Sequence, residues 1–357
     1  MTSTLDWAVV MAEVSRERFI PDRIWRHDPN RVGHDLVPVE RHSDPDRWAA
    51  MVAADEPIIT QVDNGHPAED GTGLEATSSC SDRRVVLEML HLLAPEPGAH
   101  VLEIGTGTGW SAALLAGAGA QVSSVEIDGE LANHARERLI SNGFRDVTVI
   151  HADATTIALT DFDAVLASVG VREVPFPWVM HTRGRLVVPL TNAWYPPGIA
   201  VLNRTGDHSA SGRLAGPANF MSIRAEATSR IRTNNLVATH IGCTDIHPYY
   251  LTGDRDAAVA IGQRTRGITF AWRPAGESAD GTLWLYSSCS WASIETSNSN
   301  GAPYEVAQAG PRRLVDEVLA AYEWWQQVGE PRTRDWRVTV TPQGQRIELD
   351  TTEPDNA

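Results

Sequence analysis

A chain of 357 residues with 42% hydrophobic content is long enough for two or three domains and rich enough in apolar side chains to bury a core. Its formal net charge of -16 speaks against a surface that tracks phosphates, because nucleic-acid binders gain affinity by displacing counterions with a basic stripe. The three cysteines, Cys80, Cys243 and Cys289, lack CxxC spacing and suit reduced thiols in a cytoplasm, and no apolar run approaches the roughly 18 residues a membrane span needs.

In chain order, Met1 to Met11 holds no Lys or Arg to make a basic n-region, so no signal peptide is expected. Turn-forming residues cluster at Asp63 to Gly73, Arg204 to Pro217 and Thr296 to Pro303. The first two clusters divide the chain into an N-terminal helical and loop segment (1–75), an alternating α/β domain (76–215) and an α+β extension (216–357). In the middle part Val85 to Leu93 has helical spacing, Val101 to Ile104 is a short buried strand, and Trp110 to Ala116 is helix again. Val122 to Ile127 is the next strand, Leu131 to Ile140 a helix, and Val147 to Ile150 and Ala164 to Leu166 are further strands. Strands alternating with helices predict a doubly wound parallel sheet with ligands at its carboxyl edge. In the extension, the steps of four, four and three from Leu314 through Val318 and Tyr322 to Trp325 predict a core-facing helix stripe.

The chemistry concentrates where the strand ending at Ile104 runs through Gly105, Thr106, Gly107, Thr108 and Gly109 into a helix. Glycines let a backbone turn sharply and meet a ligand without Cβ interference. The spacing is GxGxG, with Trp110 where the third glycine of a dinucleotide fingerprint would stand, which suits a nucleoside cofactor without pyrophosphate; a plain tight turn is the alternative. Glu126 ends the following strand about 20 residues on, where a carboxylate accepts ribose hydroxyls, unless it is only a solvated strand end. Asp153 follows the next strand and suits either an adenine amino group or a helix N-cap. Ser81 likewise reads as an N-cap of the helix Val85 to Leu93. His247 has no second ligand at metal spacing, so no metal is expected.

VLEIGTGTGW, SSVEID, HADA, FDAVLASVG and GRLVVPL closely resemble motifs of protein-L-isoaspartate O-methyltransferases, and VSRERFIPDRIW resembles their N-terminal helix entry. DPDRWAAMVAADEPIITQVDNG, ATSSCS, GPRRLVDEVLAAYEWWQQ and VTVTPQGQR look like an actinobacterial branch with a C-terminal extension, often associated with ribosomally made, modified peptides such as lanthipeptides. The resemblance implies a class I S-adenosylmethionine-dependent methyltransferase that esterifies an aspartyl or isoaspartyl carboxylate of a peptide or protein. It implies cofactor contacts from Glu103, Gly105, Thr106, Gly107, Gly109, Glu126, Ile127, Asp153 and Ala154. It also implies that Thr77-Ser78-Ser79-Cys80-Ser81 covers the transferred methyl group, with Ser81, Ser79 and Thr77 orienting the acceptor. Ser81 looks like the serine of the family's Ser-Gln-Pro motif, but Asp82 and Arg83 stand where Gln and Pro are usual, which leaves the substrate mouth open. Four readings compete. They are a tailoring enzyme that forms succinimide or isoaspartate in a cyclised peptide, a general repair enzyme, a methyltransferase of small-molecule carboxylates, and a cofactor-binding interaction module without turnover. Neither nucleic acid nor membrane is an expected partner, and the residues leave the oligomeric state unstated.

Overall fold

Beginning with Asp6, whose side chain caps helix α1 (Trp7–Glu13), the chain builds an antiparallel sheet from short alternating strands. These are β1 (Arg23–His27), β2 (Leu36–Glu40), β3 (Ile58–Val62) and β4 (Ala76–Cys80), with α2 (Pro45–Ala53) between β2 and β3. Their order is β2-β1-β3-β4. The structure, a computed structural model, describes residues 6–31, 33–157, 161–226, 237–275, 280–296 and 303–350. Most of the turn cluster expected at Thr296 to Pro303 lies outside them.

The second sheet follows the predicted alternation. Helix α3 (Arg83–Leu93) leads to β5 (His100–Ile104), α4 (Trp110–Gly117), β6 (Gln121–Glu126), α5 (Gly129–Ser141), β7 (Thr148–His151), β8 (Phe162–Ala167), α6 (Phe176–Met180) and β9 (Thr182–Leu190). Their order, β9-β8-β5-β6-β7, is parallel throughout. Residues 200–206, 209–212, 339–341 and 344–345 belong to further strands of the same sheet. From β5 the chain moves outward through β6 and β7, then returns to the other side of β5 for β8 and β9. Right-handed crossovers therefore put helices on both faces and open a crevice at the carboxyl end of β5. The strands are apolar runs rather than alternating ones because both faces are covered. Val101, Leu102, Val165, Ala167, Leu186 and Val187 are fully buried.

Two compact units emerge, one of residues 1–189, 200–212 and 339–345, the other of 190–199, 213–338 and 346–357. The sequence boundaries at 75 and 215 are not the boundaries of these units. The N-terminal segment belongs with the parallel sheet, since Phe19, Ile24 and Trp48 are apolar side chains buried by packing that a linear reading does not see. In the second unit, strands Thr269–Pro274, Gly281–Tyr286, Trp291–Glu295, Tyr304–Ala309 and His240–Thr244 form an antiparallel sheet in that spatial order. Helix Leu314–Gln327 buries the expected stripe of Leu314, Val318, Tyr322 and Trp325, while Arg264 lies over the Trp324 ring at 4.1 Å. Among the described residues no helix is long and apolar enough to cross a membrane.

Leu102 is fully enclosed in the central strand. Leu102→Ala should lower unfolding stability by about 2–5 kcal/mol through lost burial and a residual cavity, measured by urea denaturation.

Candidate active site

At the carboxyl end of β5 the chain turns through Gly105, Gly107 and Gly109 with φ of 90°, 52° and 88°. This is the left-handed region, where a side chain is strained. A Cβ on Gly105 would stand 2.6 Å from Val169 Cγ1, so the first glycine is a steric requirement. A Cβ on Gly107 would meet the Ser78 hydroxyl and the Ser79 carbonyl oxygen, each at 3.8 Å. Strand β4 therefore runs alongside the glycine loop, a proximity invisible in sequence. The loop's far side is held by Ser168, whose hydroxyl donates to the carbonyls of Gly105 at 2.5 Å and Ile104 at 3.1 Å.

Beneath the loop, Glu103 is wholly buried. Ser111 and Ser124 donate hydroxyl hydrogen bonds to its two carboxylate oxygens, and the Thr106 and Ser124 hydroxyls share a 2.6 Å bond. Enclosed in this way, the Glu103 side chain braces the turn from beneath. Desolvation is the largest influence on its carboxyl and pushes the pKa up to about 7, opposed by the Ser111 and Ser124 bonds and reinforced by the Glu126 charge.

Glu126 ends β6 and reaches back to the loop, accepting the Gly107 N–H at 2.9 Å through Oε2 and the Asp128 N–H at 3.1 Å through Oε1. It is thus a held, mostly buried carboxylate rather than a solvated strand end. Ile127 beside it leaves 42% of its surface exposed, a large apolar group at the sheet's carboxyl edge. Asp153 uses Oδ1 to accept from the Thr155 N–H at 2.8 Å and the Thr155 hydroxyl at 2.7 Å, capping a turn over 154–156 in place of the helix weighed for it. The Ala154 carbonyl accepts from the Trp178 indole at 2.9 Å, fixing the backbone after β7.

The end of β4 is arranged differently from the N-cap reading of Ser81. Asp82, not Ser81, caps α3, accepting from the N–H groups of Arg84 at 2.7 Å and Val85 at 3.4 Å, so the helix begins two residues before Val85. Ser81 lies just past the end of β4 with its carbonyl accepting from Arg16 at 2.9 Å. Thr77 donates to Gln61 Oε1 at 2.9 Å and accepts from the Asn64 N–H at 3.0 Å. Ser78, which the sequence reading passed over as a candidate, presents its hydroxyl to Gly107 and accepts from Thr60 at 3.2 Å.

Gln61 and Asp128 were also missed. A register irregularity in β3 accompanies Gln61, whose amide nitrogen donates to Asp128 Oδ2 at 3.0 Å while its oxygen receives Thr77. Asp128 in turn caps α5. A polar chain thus joins Thr77 on β4 to the turn that carries Glu126. The SSVEID motif contained Asp128, but no local signal marks Gln61. Among the described residues no group of three or more His, Cys, Asp or Glu side chains gathers as a metal site.

A glycine turn over a buried acid at the carboxyl edge, with a second acid ending the next strand, is the nucleoside-binding end of a doubly wound α/β fold, and the comparisons assign it to the class I S-adenosylmethionine-dependent methyltransferases. A solved structure described as a protein-L-isoaspartate O-methyltransferase has the same fold, with a TM-score of 0.51, 16% identity and coverage of 96% of this chain and 94% of the other. The model of the protein-L-isoaspartate(D-aspartate) O-methyltransferase family matches residues 4–227, and the chain belongs to that family. Protein-L-isoaspartate O-methyltransferase 1 of Nitrosospira multiformis is 30% identical over 190 residues, covering 52% of this chain and 75% of the relative. The enzyme of Gloeobacter violaceus is 40% identical over 113 residues, covering 30% of this chain, and that of Methanoregula boonei 36% over 136, covering 37%. The chain spans 55% and 62% of the lengths of those last two relatives.

Because the folded Glu103 carboxyl holds its proton up to about pH 7, against an ordinary value of 4.5, its contribution to stability is fully present below 4.5 and is lost as pH rises to 7. Glu103→Gln should remove that decline. Unfolding free energies of both proteins across this window are the check, and parallel pH profiles would show that burial does not shift this carboxyl.

Proposed function

We propose that this protein is an S-adenosylmethionine-dependent carboxyl O-methyltransferase acting on aspartyl or isoaspartyl side chains of a peptide or protein. The observation that carries the reading is the bond from Gly107 N–H to Glu126, which holds an acidic side chain at the glycine turn beside the exposed Ile127. This set fits a nucleoside cofactor: the glycine turn leaves space that a Cβ would fill, Glu126 offers acceptors for ribose hydroxyls, Ile127 an apolar face for a base, and Asp153 and the Ala154 backbone the adenine edge. When bound, S-adenosylmethionine supplies a methyl group already activated on sulfonium.

The residues' work is then placement. A carboxylate is ionised at neutral pH, so no strong general base is needed. Orientation alone can account for roughly 7–11 kcal/mol of barrier reduction. Hydroxyls of β4 would point the acceptor oxygen: that of Ser78 lies at the glycine turn, Thr77 is held by Gln61, and Ser79, whose carbonyl oxygen faces Gly107, is the third. Ser81 contributes at the mouth, downstream of them. Transfer forms the ester C–O bond and leaves the cofactor as a thioether. A neighbouring backbone amide nitrogen then displaces methanol and closes a succinimide without enzymatic help.

The finer reading is a tailoring enzyme that selects one aspartate in a cyclised, ribosomally made peptide. Two features support it. The chain carries a second compact unit, most of it beyond the family-matched residues 4–227, as a surface for peptide recognition. Asp82 and Arg83 replace the usual Gln and Pro at the mouth, with Asp82 engaged in capping α3.

Calorimetry with S-adenosylmethionine tests the cofactor site: Glu126→Ala should weaken binding by about 1.5–3 kcal/mol, and unchanged affinity would remove Glu126 from it. Mass spectrometry tests the acceptor. A cyclic L-aspartyl precursor should gain one methylene and then settle at its starting mass less one water. Efficient methylation of many linear isoaspartyl peptides with none of the cyclic ones would favour general repair instead.

A further inference from the structure

A cavity of about 350 Å³ opens in the first unit between α1, the turn at Arg16 and the first turn of α3. Its walls include three arginines, Arg16, Arg83 and Arg84, with Met11, Leu87 and Trp110 as apolar surface, and among the described residues no acidic one lines it. In a chain of net charge -16 this is a local reversal of sign.

Arg16 is the unusual member, with 2% of its surface exposed. One terminal nitrogen donates to the carbonyl of Ala54 at 3.1 Å, and the other to those of Glu56 and Cys80 at 2.8 Å and Ser81 at 2.9 Å. The Trp110 ring lies 5.7 Å away. Those partners are carbonyl groups and a ring, none of them a carboxylate, and its Nε is buried without a hydrogen-bond partner among the described residues. A guanidinium is always charged, and a buried charge without a counter-ion is costly. Arg83 and Arg84 meet Asp55 at 3.8 Å and Asp82 at 3.4 Å, outward contacts in which Arg84 keeps 76% of its side chain exposed. Such pairs are weak and yield readily to a better-placed anion.

We propose that this cavity binds a carboxylate of the peptide acceptor other than the one that is methylated, an Asp or Glu side chain near it in sequence. This rests on the peptide-methyltransferase reading. Arg16 grips the carbonyls of Cys80 and Ser81, so the cavity adjoins the end of the strand whose hydroxyls orient the acceptor. An extended chain advances about 3.3–3.6 Å per residue, so a second acidic residue a few positions away reaches the arginines while the acceptor lies at β4. Charge complementarity selects the ligand, and the apolar wall accommodates its methylene stem.

The test compares two synthetic isoaspartyl peptides, one with two glutamates after the acceptor and one with glutamines there, on the full-length protein. The acidic peptide should show a KM lower by at least about tenfold, the size expected for charge-assisted hydrogen bonds. Arg84→Gln should abolish the difference and Arg84→Glu reverse it, with kcat and the glutamine peptide's KM unchanged. Equal KM values in the wild type, or variants that affect both peptides alike, would overturn the proposal. If neither peptide is methylated, the activity reading fails on its own. Calorimetry with an acidic peptide carrying Asn at the acceptor position then decides the cavity: binding lost in Arg84→Glu supports it, whereas equal or absent binding overturns it. Succinate is the control for a small free dianion, and affinity equal to the peptide's would assign the cavity to such an anion and overturn the peptide assignment.

Discussion

The turn from β5 into α4 is the constraint on which the rest of the site depends. Three glycines within five residues adopt left-handed φ, and Gly105 lies so close to Val169 that a side chain would collide. Glycines make this bend without strain, and at Gly105 the missing Cβ leaves room for Val169 and Ser168. The bend in turn directs the Gly107 N–H at Glu126, so the carboxylate that closes β6 is oriented by the same loop whose shape it helps hold.

Polar groups buried around that turn form two connected sets. One lies underneath, where the buried Glu103, Ser124 and Thr106 and the half-buried Ser111 satisfy one another. Low dielectric strengthens such a set when it is complete, and it also explains why the Glu103 carboxyl retains its proton so far above the ordinary range. The other runs sideways, from Thr77 through Gln61 to Asp128 and the turn after Glu126. It makes β4 and the turn carrying Glu126 parts of one connected arrangement.

Arg16 adds a third tie, from the N-terminal segment. Its guanidinium joins the loop before β3 to the end of β4, and its neighbour Trp110 begins the helix after the glycine turn. The N-terminal residues are therefore structural members of the methyltransferase unit.

The sequence by itself determined the parallel sheet, the glycine turn and the acid at Glu126, because hydrophobic periodicity and glycine spacing are local properties and the strand–turn–helix follows from them. It also determined the buried stripe on Leu314–Gln327, where every third or fourth residue is apolar. Tertiary structure decided the rest. A capping bond depends on backbone geometry at one residue, so Ser81 and Asp82, adjacent and both good caps, could be told apart only in three dimensions. Ser78 came to the glycine turn, and Gln61 to Asp128, across separations of 29 and 67 residues along the chain. No spacing rule reaches that far, because these meetings are set by how sheets and helices pack.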